Sequence, residues 1–224
     1  SFYDNGYAII KNVLTKKQEI NDNILSISSI FSKKIKKNKI QIKDLNSFNK
    51  FLIYLENYNK EYLFNLCGLI SKSLSISSFV SSDNIGKISE HFLEIPKNEL
   101  LVQQPSFLIN LPKNKRVLYH WHNAKNFYPK RNSYLNYWVP LIYDKKKNNG
   151  SMFVAPQSHK YEYPFLEFKK KEKNALTQNR VPDKYVDNYK KVKLEVKYGD
   201  CAIMHPNLLH TSTFNITNLP SSAS

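Results

Sequence analysis

Val192-Lys193-Leu194-Glu195-Val196-Lys197-Tyr198-Gly199-Asp200-Cys201-Ala202-Ile203-Met204 is the stretch whose reading decides the fold. Apolar and charged residues alternate over 192–197, the period of a strand with one face buried and the other in water. Tyr198-Gly199-Asp200 supplies a turn, with Asp200 shaping it, and leads into Cys201-Ala202-Ile203-Met204. The chain then runs into Leu208-Leu209-His210-Thr211-Ser212. The same texture of short apolar runs broken by Pro, Asn and Gly extends back to Leu100. Ser106–Asn110, Val117–Tyr119, Leu135–Val139 and Ser151–Ala155 read as strands. Lys147-Asn148-Asn149-Gly150 is a turn signal that predicts a hairpin, because Asn and Gly tolerate positive φ. With only 5 Gly in the chain, two of them at these turns is informative.

Upstream of residue 100 the period changes. Gly6-Tyr7-Ala8-Ile9-Ile10 reads as a short strand, and Thr15 followed by Gln18 predicts a capping-box helix start, with the helix running to about Phe31. From about Ser47, Phe48, Phe51, Leu52 and Leu55, then Tyr62, Leu63, Leu66 and Leu69, recur at helical spacing. The expectation is one domain over 1–224, α+β but mainly β, with a helical flank over 1–99 and a strand-rich core over 100–224.

Composition narrows the function. At 224 residues and 41% hydrophobic, the chain can bury a sizeable core. It has no apolar run of membrane-spanning length and no signal peptide, so it reads as cytoplasmic. It opens without Met and closes on Pro220-Ser221-Ser222-Ala223-Ser224, which reads as a piece of a longer protein. Cys67 and Cys201 are too few for a disulfide framework. A net charge of +16 raises nucleic-acid binding, but only Arg116, Arg131 and Arg180 offer the fork that clamps phosphate or reads guanine, and the lysines are scattered; no specific nucleic-acid partner is expected. Lys33-Lys34-Ile35-Lys36-Lys37 and Lys169-Lys170-Lys171 read as solvated faces or loops. Phosphate loops, dinucleotide fingerprints, a Gly-x-Ser-x-Gly elbow and zinc-spaced cysteines are all missing, so nucleotide chemistry and serine hydrolysis drop out.

Two histidines carry the remaining chemistry: His122 in Tyr119-His120-Trp121-His122-Asn123-Ala124, and His210. Together with Trp138-Val139-Pro140-Leu141, Asn149-Gly150-Ser151, Pro156-Gln157-Ser158-His159, Gly199-Asp200 and His210-Thr211-Ser212, they give an ordered set of words. In order and spacing this set resembles the phytanoyl-CoA dioxygenase-like branch of the Fe(II)/2-oxoglutarate oxygenases. The family's Trp-His-Gln-Asp stands here as Trp121-His122-Asn123-Ala124, and its Pro-Gly-Ser-His as Pro156-Gln157-Ser158-His159.

The resemblance implies a double-stranded β-helix, a jelly-roll or cupin-like barrel flanked by N-terminal helices. It implies Fe(II) and 2-oxoglutarate as cofactors and a small-molecule or carrier-linked substrate that is hydroxylated. His122 and His210 become the metal ligands, and Ser212 a contact of the 2-oxoglutarate carboxylate. Gln104, favoured over Gln103, becomes a polar group facing the cosubstrate or substrate. Two departures stand out. The family's carboxylate ligand is Ala124, and the Arg expected eleven residues beyond the distal His is Ser221.

Ala124 admits four readings: a retained fold without its chemistry, kept as a binding protein; a halogenase-type site in which chloride occupies the vacated position; a three-His site using His120; or an ordinary oxygenase whose carboxylate comes from elsewhere or was altered at 124. Removing an Asp opens one coordination position and removes one negative charge, and chloride would restore both. Tyr137 and Trp138 read as sheet core, and His91, His159 and His205 as structural or surface residues.

Overall fold

The computed structural model describes residues 1–114, 118–127, 133–142, 149–169, 177–218 and 220–223. The elements in chain order are α1 (Phe2–Asn5), β1 (Tyr7–Ile10), α2 (Lys17–Lys33), α3 (Leu45–Tyr58), α4 (Lys60–Ser71), α5 (Leu74–Val80), α6 (Asp83–Leu93), β2 (Leu108–Asn110), β3 (Asn136–Trp138) and β4 (Met152–Val154). There follow β5 (Leu166–Lys169), β6 (Thr177–Arg180), α7 (Asp183–Val186), β7 (Val192–Lys193), β8 (Cys201–Met204), β9 (His210–Ser212) and β10 (Ser221–Ala223). The architecture is α+β, helices first and then small antiparallel sheets, but among the described residues helix exceeds strand, so the expectation of a mainly β fold is not met: the strands are only two to four residues long. The strands form sheets of order β1-β8-β3 and β7-β4-β9, with separate pairs β10-β2 and β5-β6.

β8 organises the core. All four of its residues are buried, because it lies between β1 and β3 and is covered on both faces. Alternation sends Cys201 and Ile203 to the helical side, where they join Phe48, Phe51, Leu52, Leu55, Leu66 and Ile70 of α3 and α4. Ala202 and Met204 face the other way and pack with Trp138, Val154, Leu194, Val196 and Leu208. The result is helices on one face of the first sheet and the second sheet on its other face.

The alternation over 192–197 holds in burial, with Leu194 and Val196 buried and Glu195 and Lys197 exposed. The strand itself is only two residues long, limited by a three-residue partner in β4. Among the described residues no strand pair is joined by the predicted hairpin at Asn149-Gly150. β3 pairs with β8, whereas β4 pairs with β7 and β9, so the two strands flanking the turn belong to different sheets. Lys147 and Asn148 lie outside the described residues, but Gly150 does take positive φ, at 75°, with the Asn110 side chain packed where a Cβ would stand. Leu118 and Tyr119 are not in a strand, and Val117 lies outside the described residues.

Two helix expectations are corrected. α2 starts at Lys17, one residue later than the capping box requires, with Lys16 at its N-cap and no side-chain cap, since a lysine ammonium cannot accept from the first-turn N–H groups; Gln18 Nε2–H donates forward to Asp22 Oδ1 at 2.7 Å. The long helical stretch is split at Asn59, whose extended backbone ends α3 and whose side chain accepts from Glu61 N–H to start α4. The phase resets there, so Ile70 is buried while Tyr62 and Leu69 are exposed. Asp200 does more than shape a turn. Its buried carboxylate accepts from Asn12 N–H at 3.0 Å and from Lys11 Nζ at 2.9 Å, fastening the end of β1.

Gln157 stands at φ 70°, in the left-handed region, at the position where the related sequence pattern has Gly. The turn is locked by Ser158, whose buried Oγ accepts from Leu209 N–H at 2.9 Å. Left-handed backbone costs a non-glycine residue roughly 1–2 kcal/mol, and glycine returns part of that as unfolded-state entropy. Gln157→Gly is therefore expected to stabilise the protein by up to about 1 kcal/mol in urea unfolding, reversing the usual penalty of introducing glycine.

Candidate metal centre

β9 and the segment around His122 meet backbone to backbone. His122 N–H donates to the His210 carbonyl at 3.0 Å and His210 N–H to the His122 carbonyl at 2.9 Å, an antiparallel bridge that sets the two rings 4.2 Å apart between centroids. On its other side His210 is registered opposite Val154 of β4. Each ring is oriented by its own chain: His122 Nδ1 lies 2.6 Å from the His120 carbonyl and His210 Nδ1 lies 2.9 Å from the Leu208 carbonyl. A nitrogen facing a carbonyl must carry the proton, which leaves each Nε2 with a free lone pair. Both residues are buried. Burial pushes His122 well below the usual imidazole pKa, with the neighbouring His210 adding to it, and burial also lowers His210. Neutral imidazoles with fixed tautomers are the donors that a transition metal takes.

Both histidines line a cavity of about 1280 Å³, and Ala124, itself buried at 5% exposure, lines it with them. Tyr119 packs against His122 with ring centroids 5.2 Å apart, and Phe127 meets it edge-on at 5.6 Å. Ser212 also lines the cavity, its Oγ accepting from Tyr119 N–H at 3.2 Å, while Thr211 Oγ1 donates to the Tyr119 carbonyl at 2.7 Å. Gln104 lines the same cavity from an exposed, non-strand segment, and its amide donates to the Ser71 carbonyl at 2.9 Å. Alternation therefore has no bearing on which of Gln103 and Gln104 faces inward, and both line the wall.

His120 lies close enough to His122 to add to the lowering of the latter's pKa. The His120 N–H donates to Gln178 Oε1 and its carbonyl orients His122. Among the described residues no group of three His, Cys, Asp or Glu side chains is placed to hold a metal ion. The Nε2 atoms of His122 and His210 are two donors of the type a metal takes, and among the described residues no His, Cys, Asp or Glu completes a group of three with them.

Asn110 was not singled out from the sequence. It lines the cavity and sits in register opposite Ser221, the position where the related pattern has Arg. Its Nδ2 donates to the Thr213 carbonyl while its buried Oδ1 lacks a partner. Only the pairing of β10 with β2 reveals that proximity. Among the described residues lining the cavity the one cation is Lys97, which is bound to Asp83.

The phytanoyl-CoA dioxygenase (PhyH) family pattern matches residues 2–220. The chain belongs to that family. Among solved structures, the fold is shared with the non-haem alpha-ketoglutarate-dependent carbocyclase SnoK from nogalamycin biosynthesis, at TM-score 0.62 and 17% identity over 99% of this chain and 78% of SnoK. EvdO2 from Micromonospora carbonacea var. aurantiaca matches at TM-score 0.63 and 16% identity, covering 99% of this chain and 85% of its own. EctD from S. alaskensis matches at TM-score 0.62 and 15% identity over 99% and 72%. The epimerase SnoN, at 16% identity and TM-score 0.59, was crystallised with Fe3+ and alpha-ketoglutarate. No curated protein matches. No single helix among the described residues is long and apolar enough to cross a membrane.

Proposed function

We propose that this PhyH-family chain is a single domain carrying an Fe(II)/2-oxoglutarate oxygenase site of hydroxylase type, with a small-molecule or carrier-linked substrate in the cavity and His122 and His210 as the two retained protein ligands. The two three-stranded sheets would be the faces of a double-stranded β-helix, with the His pair between them. One observation carries the reading: both imidazoles are buried, bridged to each other, and locked by their own backbone so that each keeps an Nε2 lone pair. When bound, iron with 2-oxoglutarate would activate oxygen for removal of hydrogen from a substrate. This chain's residues hold the imidazoles neutral and place Ser212 and Asn110 along the same wall.

The buried Ala124 in the cavity wall favours a second reading, in which chloride completes the metal's coordination where a carboxylate is lacking. An anaerobic titration with Fe(II) and 2-oxoglutarate, with and without chloride, separates the readings through the visible charge-transfer band of the chelate. A band that forms without chloride supports the first, and one that requires chloride supports the second. If no band forms under either condition, both fall, and the chain is a binding protein that keeps the fold.

A further inference from the structure

The cavity that holds the His pair is also lined by residues of the helical side of the first sheet, and that part is termed the helical lobe. Trp138 and Tyr137 are neighbours on β3, so their side chains leave on opposite faces of the sheet. Trp138 packs in the cluster between the sheets with Met204 and Val154, whereas Tyr137 packs against the helical core. Both line the same cavity, which therefore passes from one face of the sheet to the other around β3, a strand at the sheet edge. The helical lobe is walled by apolar groups from α4, α5 and α6, among them Leu63, Phe79 and Ile85.

One polar device stands in that apolar wall. Tyr137 Oη lies 2.8 Å from Ser89 Oγ of α6. Two hydroxyls carry two protons, and their mutual bond uses one of them, so the pair retains one donor and several lone pairs. A pair of this kind satisfies one hydroxyl or carbonyl oxygen on a ligand, in a wall that otherwise rewards apolar area. Among the described residues lining the cavity, the charged ones are Lys97 and Glu99, both in the exposed segment following α6. Lys97 packs its methylenes against Gly86, one turn before Ser89 on α6, but its charge is already taken by Asp83, so among the described lining residues an anionic head finds no unpaired cation, and burying an unpaired charge there is costly.

We propose that the helical lobe is a binding site, separate from the His pair, for an uncharged and mainly apolar molecule whose single hydroxyl or carbonyl oxygen is held by Ser89 and Tyr137. This goes beyond the metal reading and does not require it. The test is isothermal titration of the whole chain with 1-octanol, octanoate and octanoyl-CoA. Binding of 1-octanol at least about tenfold tighter than either anion is expected from the cost of burying the charge. Tyr137→Phe, which keeps the ring, and Ser89→Ala should each weaken 1-octanol several-fold, the worth of one hydrogen bond, about 0.5–1.5 kcal/mol. His210→Ala should leave 1-octanol binding unchanged while removing Fe(II) binding.

No 1-octanol binding, equal or tighter binding of octanoyl-CoA or octanoate, or an affinity unmoved by both hydroxyl variants would each overturn the proposal. So would loss of 1-octanol binding in His210→Ala, which would place the ligand at the His pair. Failure of Fe(II) to bind the unaltered chain would strike only the metal reading.

Discussion

Ala124→Asp is expected to raise Fe(II) affinity by roughly a hundredfold, since even outer-shell partners of metal ligands are worth 10–100-fold and a direct carboxylate ligand should reach the top of that range. Ala124 is buried, lines the cavity with both histidines, and follows His122 by two residues, so a carboxylate there would be placed toward the same space. Two terms oppose each other. Burying an unpaired carboxylate costs several kcal/mol, which raises its pKa and destabilises the metal-free protein. Its attraction to a divalent ion is larger: one pair of unit charges at 4 Å is worth about 4 kcal/mol at an effective dielectric constant of 20, and the ion carries two. The variant should therefore be less stable than the parent without metal and regain stability on Fe(II). Anaerobic competition against a fluorescent chelator measures the affinity, and urea unfolding with and without metal measures the linkage. If Fe(II) binding in the parent needs chloride, the variant should lose that need. An affinity left unchanged by the new carboxylate would argue that His122 is not a ligand.

Much of the fold was legible because burial follows period. Leu194 and Val196 turn inward as the alternation requires, and Phe48, Phe51, Leu52 and Leu55 form one buried helical stripe. Local patterns failed where a distant partner decided the outcome. The turn at Asn149-Gly150 is real in its backbone, yet the strands beside it find partners far along the chain, β3 in β8 and β4 in β7 and β9. At Thr15 the helix start moved on by one residue, to a Lys16 N-cap that makes no side-chain bond. Gln157 shows the opposite case: where the related pattern has Gly, the backbone of this chain takes a positive φ on a non-glycine residue, which the motif's residues alone did not announce.

The site divides in the same way. His122 and His210 were legible as residue types in order, but the bridge joining them and the carbonyls that fix their tautomers are tertiary facts. His120 kept its place two residues from His122 and acts through its backbone, orienting that ring. Tyr137 reads as sheet core from sequence, and does pack against the core, yet its hydroxyl meets Ser89 across the helical lobe; no pattern in either segment announces the other. Asn110 reached the wall opposite Ser221 only through the pairing of β10 with β2.

The neutral histidines also set an acid limit on the fold. In the unfolded chain an imidazole protonates near its ordinary pKa of about 6.5. In the folded chain burial lowers His122, His210 and His159, and burial with the nearby His159 lowers His205 to about 4. Below pH 6.5 the unfolded state therefore binds more protons than the folded one. Stability is complete above that pH and is lost as pH falls toward the folded-state values, by up to about 1.4 kcal/mol per pH unit for each of the buried His122 and His210 and by less for the partly exposed His159 and His205. Asp200, Asp44 and Asp83 titrate below the ordinary carboxylate value, so their contribution is lost only in stronger acid and does not blur the window from pH 6.5 to 5. Urea unfolding of the metal-free protein at pH 7.5, 6.5, 5.5 and 5 is expected to show a steep loss below 6.5. In His210→Ala the slope should shrink by about one proton's worth, because one depressed base has gone. A stability that stays flat down to pH 5 would mean that the native imidazoles accept protons freely, and would remove the neutral donors on which a metal at His122 and His210 depends.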